Sequence, residues 1–143
     1  MNTDRTSQIA GIAFDAFGWE IWPALAAGAS IYLAEDEIRI SPDRLREWLL
    51  SNQITVSFVP TPLAEQLLLL DWPLNSALRI LLTGGDKLRQ YPSAKHPFQV
   101  VNNYSPTENT VVATSGIIPV REEADTAPAI GRAIANVQVY VLD

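Results

Sequence analysis

The sequence predicts an α/β fold in which a parallel, partly mixed sheet is flanked by helices on both faces. Three observations support it. Short runs of apolar and β-branched residues alternate with segments whose leucines recur at helical spacing, the pattern of parallel strands joined through helices. Two of the helical segments open on a cap residue followed by proline, Ser41-Pro42 and Thr61-Pro62. Predicted strands also end in glycine- or asparagine-containing turns, the place where open α/β sheets hold ligands.

Taken in order, residues 9–14 read as a buried strand. Residues 19–27 read as a helix closed by Gly28, the residue that most easily takes the left-handed conformation at a helix end. Residues 30–34 form the next strand, and a helix over 42–52 places Leu45, Trp48 and Leu49 at helical spacing. Residues 54–59, rich in β-branched and aromatic side chains, read as a strand, and the helix opening at Thr61 carries Leu63, Leu67 and Leu70. A strand over 78–83 runs into Gly84-Gly85-Asp86, and one over 98–102 into Asn103-Tyr104-Ser105-Pro106-Thr107-Glu108. Residues 110–118 and 137–142 are the last predicted strands, with a polar loop over 121–126 between them.

With 143 residues, 48% hydrophobic and 18% charged, the chain reads as a single soluble unit over 1–143 that can bury a real core. A formal charge of −6, with no cluster of Lys or Arg, argues against nucleic acid as a partner. The absence of Cys excludes disulfides and thiolate metal sites, and a single His makes a zinc or haem site a poor fit; a reducing, cytoplasmic setting is consistent with this. The first residues lack the basic flank and apolar run of a secretory signal, and no stretch is long enough to span a bilayer, since residues 67–70 are stopped by Asp71 and Pro73. A polar opening that meets a strand within a few residues suggests a fragment cut near an element boundary.

Three strand-end loops are the candidate site: those around Asp15, Gly84-Gly85 and residues 103–108. Each also has a plain structural reading. Asp15 could cap a helix, Ser105 and Glu108 could form a capping box, and Phe58, Leu82, Val111 and Val112 could be ordinary core. Gly84-Gly85-Asp86-Lys87 lacks the spacing of a phosphate-binding P-loop. His96, beside Pro97 in a polar loop, reads as a solvated surface residue, and no Ser/His/Asp or Cys/His set can be assembled.

Phe14-Asp15-Ala16-Phe17-Gly18-Trp19-Glu20, then Asn103-Tyr104-Ser105-Pro106-Thr107-Glu108, then Pro128-Ala129-Ile130-Gly131-Arg132-Ala133-Ile134-Ala135-Asn136 with Tyr140-Val141-Leu142-Asp143 resemble, in order and spacing, the adenylation domains of nonribosomal peptide synthetases. The resemblance spans essentially the whole chain. It implies a flavodoxin-like subdomain of an enzyme that converts an amino acid and Mg-ATP into an aminoacyl adenylate and pyrophosphate, then loads a carrier protein. It implies that Asp15 binds the substrate's α-ammonium, that Tyr104 stacks on adenine, and that Asn102 lies near the exocyclic amine. Thr107 would contact phosphate, Glu108 would hold Mg²⁺, and the backbone around Gly85 would approach substrate and nucleotide.

In this family side-chain choice is attributed to positions that here fall on Asp15, Ala16, Trp19, Phe58, Leu82, Gly84, Asn103, Val111 and Val112. The set resembles that of leucine-activating modules, such as those of microcystin-synthetase-like enzymes. Apart from Asp15 and Asn103 it offers no polar partner, so a charged substrate side chain would be buried unpaired, and an aliphatic one such as leucine fits best. Ser105 stands where the family commonly has glycine, which brings a Cβ close to adenine, and Phe17 stands where a small residue is common. The family's phosphate loop, its ribose-binding aspartate and its C-terminal lysine have no counterpart in these residues, so the 143 residues alone are expected to have negligible adenylation activity and to hold no tightly bound cofactor. The remainder of such a domain would be a partner. Two alternatives stay open: a piece of an acyl- or aryl-ligase, whose acid has no ammonium, and a non-catalytic flavodoxin-like binding module.

Overall fold

In the computed structural model, which describes all residues except 1–2, 105, 122–124 and 141–143, seven strands form one sheet in the order β2-β1-β3-β4-β5-β6-β7. The chain runs β1 (Arg5–Gln8), α1 (Asp15–Ala26), β2 (Ser30–Leu33), α2 (Asp36–Arg39), α3 (Pro42–Ser51), β3 (Val56–Pro60), α4 (Thr61–Leu68), β4 (Ile80–Gly84) and β5 (Gln99–Tyr104). A 3₁₀ turn (Thr107–Asn109), β6 (Thr114–Ile118) and a two-residue β7 (Arg132–Ala133) follow. The first five strands are parallel in flavodoxin-like order, and β6 and β7 are antiparallel additions. The predicted sheet, parallel but partly mixed, is the one observed.

Successive strand residues point to opposite faces, and each face meets different helices. Val59 and Leu81 join Leu45 and Leu49 of α3 and Ala64, Leu67 and Leu68 of α4 in the main core, where Leu45, Leu67 and Leu81 are fully buried. Phe58 and Leu82, on the other face, meet α1; the Trp19 and Phe58 rings pack edge-on, 5.4 Å between centroids. Helices therefore cover both faces. None of them is long and apolar enough to cross a membrane among the described residues.

Several predicted boundaries move, each for a physical reason. The first strand is Arg5–Gln8, not 9–14: its buried Ser7 and Gln8 are satisfied by hydrogen bonds, Ser7 to the Ser57 hydroxyl at 2.7 Å, so it carries no apolar signal. The apolar run after it is a loop, with Ile9 and Ala10 buried but Ile12 and Phe14 exposed. The first helix begins at Asp15, four residues earlier than predicted, contains Pro23, and is followed by Gly28 at φ +70°. The four-residue α2 was not foreseen, being too short to show a period. Residues 110–113 and 137–140 are not strand, and 141–142 lie outside the described residues. His96 is half-buried rather than solvated: its Nδ1 accepts from the Ser93 amide at 3.0 Å, its Nε2 lies 3.0 Å from the Leu68 carbonyl, and its ring stacks on Phe98.

Candidate functional site

The carboxyl ends of β1 and β3 diverge because the chain leaves β1 for β2 on one side and returns to β3 on the other. Such a switch point opens a crevice that no strand fills. Here it opens into a cleft of about 500 Å³. Eight of the nine positions predicted to contact substrate line it: Asp15, Ala16 and Trp19 from α1, Phe58 from β3, Gly84 from β4, Asn103 from β5, and Val111 and Val112 from the segment before β6. The ninth, Leu82, lies two residues before Gly84 on the same face of β4 and lines a separate groove of about 210 Å³ behind the Trp19–Phe58 pair.

Asp15 is the first residue of α1, with Phe14 as its N-cap, so it does not take the capping position. Its Oδ1 accepts the Ala16 amide at 2.7 Å, while its Oδ2 is buried and has no hydrogen-bond partner among the described residues. Asn103 Nδ2 is in the same condition. An acceptor and a donor, both desolvated and both on cleft residues, each forgo a hydrogen bond at a cost of about 1–3 kcal/mol. Gly84 is required by its surroundings: a Cβ there would lie 2.6 Å from the Asn103 carbonyl oxygen.

A second cleft of about 330 Å³ adjoins the first and shares Gly85, Asp86 and Asn103 with it. Asn102 and Tyr104 line this one, together with Pro128 and Ile130. Asn102 is buried, with Nδ2 donating to the Ala129 carbonyl at 3.1 Å, and Tyr104 is about half exposed. Gly85 has φ +92° and open space where a side chain would stand. Thr107 lines the first cleft rather than the second, and Glu108 is exposed on the 3₁₀ turn, lining neither. That turn starts after Pro106 with no capping side chain, so a Glu108 capping box is not its basis; Ser105 lies outside the described residues.

No group of three or more metal-ligating side chains occurs among the described residues. Mg²⁺ needs none, since it is commonly bound through one or two carboxylates with phosphate and water completing its shell; Glu108 is a carboxylate of that kind, exposed on the turn beside Thr107. Of the residues expected to contact nucleotide, Tyr104, Asn102 and Gly85 place an aromatic ring, an amide and an open glycine turn at one cleft, a combination that fits ATP.

Sequence reasoning missed three groups. The first cleft is not apolar apart from Asp15 and Asn103, because Arg39 and Asp86 also line it. Arg39 donates through Nε to the Ala34 carbonyl at 2.8 Å. Glu20, on α1, is buried and accepts from the Ile9 amide at 2.9 Å, the Ala10 amide at 3.0 Å and Gln8 Nε2 at 3.2 Å. Burial pushes its carboxyl up to about 7, against the opposing pull of those donors and of Arg39. The signal available was its place at the end of the segment 14–20 that carries the family resemblance.

A model of the AMP-binding enzyme family matches residues 1–143. One of the linear gramicidin synthase proteins of Brevibacillus parabrevis is 62% identical over 141 residues, covering 99% of this chain. The chain spans about 3% of that relative's length. The Vibrio cholerae adenylation domain AlmE, solved with glycyl-adenosine-5'-phosphate, superposes with a TM-score of 0.74 at 27% identity, over 92% of this chain and 26% of AlmE. The nonribosomal peptide synthetase FmoA3, solved with AMPPNP, matches with a TM-score of 0.81 over 95% of this chain and 16% of its own; at 23% identity this shows the shared fold. The chain therefore belongs to the AMP-binding enzyme family, within which it matches part of the adenylation domains of nonribosomal peptide synthetases.

Proposed function

We propose that residues 1–143 form the amino-acid-selecting part of an adenylation domain that makes an aminoacyl adenylate and pyrophosphate from an amino acid and ATP. The observation that carries this reading is the pair of buried atoms without a hydrogen-bond partner among the described residues, Asp15 Oδ2 and Asn103 Nδ2, on one cleft at the switch point. A carboxylate with one oxygen bonded to the Ala16 amide and the other without a donor among the described residues is suited to an α-ammonium. A charge pair about 4 Å apart at an effective dielectric near 20 is worth roughly 4 kcal/mol before desolvation, enough to orient any α-amino acid the same way.

The side chain of the substrate then meets Ala16, Trp19, Phe58, Val111 and Val112, with Gly84 leaving depth. We assign it as leucine, from the chemistry of these walls and their resemblance to leucine-activating, microcystin-synthetase-like modules. Arg39 and Asp86 do not oppose this: Arg39 is tied to Ala34, and Asp86 sits where the two clefts join. Tyr104 and Asn102 serve adenine, Gly85 lets backbone approach the nucleotide, and Thr107 contacts phosphate near the reacting carboxylate. Glu108 would hold Mg²⁺, which neutralises phosphate charge when bound. The product would pass to the thiol of a carrier protein. An acyl or aryl acid, having no ammonium, would leave Asp15 without use.

The test is to replace the matching segment of a complete adenylation domain with residues 1–143 and to measure amino-acid-dependent ATP–pyrophosphate exchange across the standard amino acids. Leucine should give the highest kcat/KM. A preference for a charged or polar amino acid would contradict the leucine assignment, and exchange driven only by acids without an amino group would contradict amino-acid activation.

A further inference from the structure

We propose that Glu20 is a positioning residue for amino-acid binding: from the helix that carries Asp15 it holds the β1–α1 loop that forms one wall of the substrate cleft. The inference rests on the reading of that cleft as the amino-acid site. Strand pairing of β1 ends at Gln8, and the next two amides, those of Ile9 and Ala10, are buried and must find acceptors elsewhere. Both find them on one side chain. Ile9 N–H donates to Glu20 Oε1 at 2.9 Å, and Ala10 N–H to Oε2 at 3.0 Å. Gln8 Nε2 adds a third bond to Oε2 at 3.2 Å and also donates to the Ala10 carbonyl.

Beyond the Ile9 side chain, which packs in the main core, little else fixes this loop. Ile12 and Phe14 are 83% and 69% exposed, and the turn bond from the Phe14 amide to the Gly11 carbonyl is internal to it. Yet Ile9, Ala10, Gly11 and Phe14 all line the substrate cleft, and the loop delivers the chain to Asp15. Glu20 does not line that cleft; it faces the groove behind it. On α1 only Glu20 and Ala24 are buried, and the Glu20 carboxylate ties the helix bearing Asp15, Ala16 and Trp19 to the end of β1. Its chemistry is specific. Two acceptor oxygens serve two adjacent amides at once, whereas a glutamine has a single acceptor oxygen and would turn an N–H₂ toward one of the donors.

The experiment compares wild type and Glu20→Gln in a complete adenylation domain carrying this sequence, reading the KM for amino acid and for ATP in pyrophosphate exchange and hydrogen exchange at the Ile9 and Ala10 amides. At pH 8 and above, where the Glu20 carboxyl is ionised, loss of one charge-assisted hydrogen bond should raise amino-acid KM about tenfold, leave ATP KM within about twofold, and speed exchange at one or both amides about tenfold, while β4 and β5 amides stay protected. Unchanged amino-acid KM in an active wild-type background overturns the role of Glu20 alone. Equal loss toward both substrates, or deprotection throughout the sheet, also overturns it by making Glu20 a general stability residue. A wild type that activates no amino acid contradicts the reading of the cleft, and the Glu20 proposal falls with it.

Discussion

Asp15 Oδ2 and Asn103 Nδ2 are both buried, both belong to residues lining the same cleft, and neither has a hydrogen-bond partner among the described residues. One belongs to the first turn of α1 and the other to β5, so the parallel sheet brings together groups that lie 88 positions apart in the chain. Proteins seldom leave such atoms unpaired, and an unpaired acceptor and donor sharing a cleft mark a place prepared for a polar ligand.

The cleft wall at Gly84 has no room for a side chain. A Cβ would stand 2.6 Å from the Asn103 backbone oxygen, which cannot swing aside. Gly84→Ala should destabilise the unit by about 1–3 kcal/mol and shift β5 where it carries Asn103. Chemical denaturation would show the lowered midpoint, and the amino-acid KM of a complete domain should rise with it.

Glu20 gives stability a pH dependence of defined sign. Its carboxyl is raised by burial to about 7 from 4.5, so the folded state binds the proton more tightly than the unfolded state. The stability present below about 4.5 is therefore lost as pH rises to 7, a change on the order of 3 kcal/mol. His96, whose pKa burial lowers, acts in the opposite direction: it costs stability as pH falls below 6.5. The difference between wild type and Glu20→Gln isolates the glutamate. Unfolding free energies from pH 4.5 to 8 should show a downward slope with rising pH in wild type relative to the variant.

Thr110 has φ +68° and ψ −82°, a strained conformation for a β-branched residue, just before Val111 and Val112 of the cleft. Thr110→Gly relieves strain of about 1–3 kcal/mol against a glycine entropy cost of roughly 0.5–1 kcal/mol. The variant should gain about 1 kcal/mol in stability by denaturant titration. Amino-acid affinity should fall, because Val111 and Val112 are then less firmly placed.

Much of this was legible in the sequence, through different signals. Alternation of strands and helices gave the layers, because helices such as α3 and α4 carry leucines at regular spacing and β3 and β4 are apolar on both faces. β1 escaped notice because Ser7 and Gln8 are buried through hydrogen bonds, not through hydrophobicity. The apolar residues 9–14 misled for the converse reason, since a ligand cleft uses apolar residues outside a strand. Asp15, Trp19, Phe58, Gly84 and Asn103 stood out through family resemblance, and spacing alone left each with an ordinary structural reading. Glu20, Arg39 and Asp86 were missed because a charged residue on a helix or turn normally faces water.

Discrimination among aliphatic substrates should be modest. Apolar walls such as Val111, Val112 and Phe58 distinguish leucine from isoleucine or valine only by shape and one methylene, worth about 1–3 kcal/mol. In the domain carrying this segment, kcat/KM for leucine should exceed that for valine by roughly 10- to 200-fold, and steady-state exchange kinetics would measure the ratio.

The most direct test concerns Asp15. In a complete adenylation domain carrying residues 1–143, leucine-dependent ATP–pyrophosphate exchange should fall by about two to three orders of magnitude on Asp15→Ala, the scale of a lost charge pair of roughly 4 kcal/mol. ATP affinity, measured separately, should stay close to that of wild type. Retention of leucine-dependent exchange by Asp15→Ala would contradict the account that this carboxylate receives the substrate's ammonium.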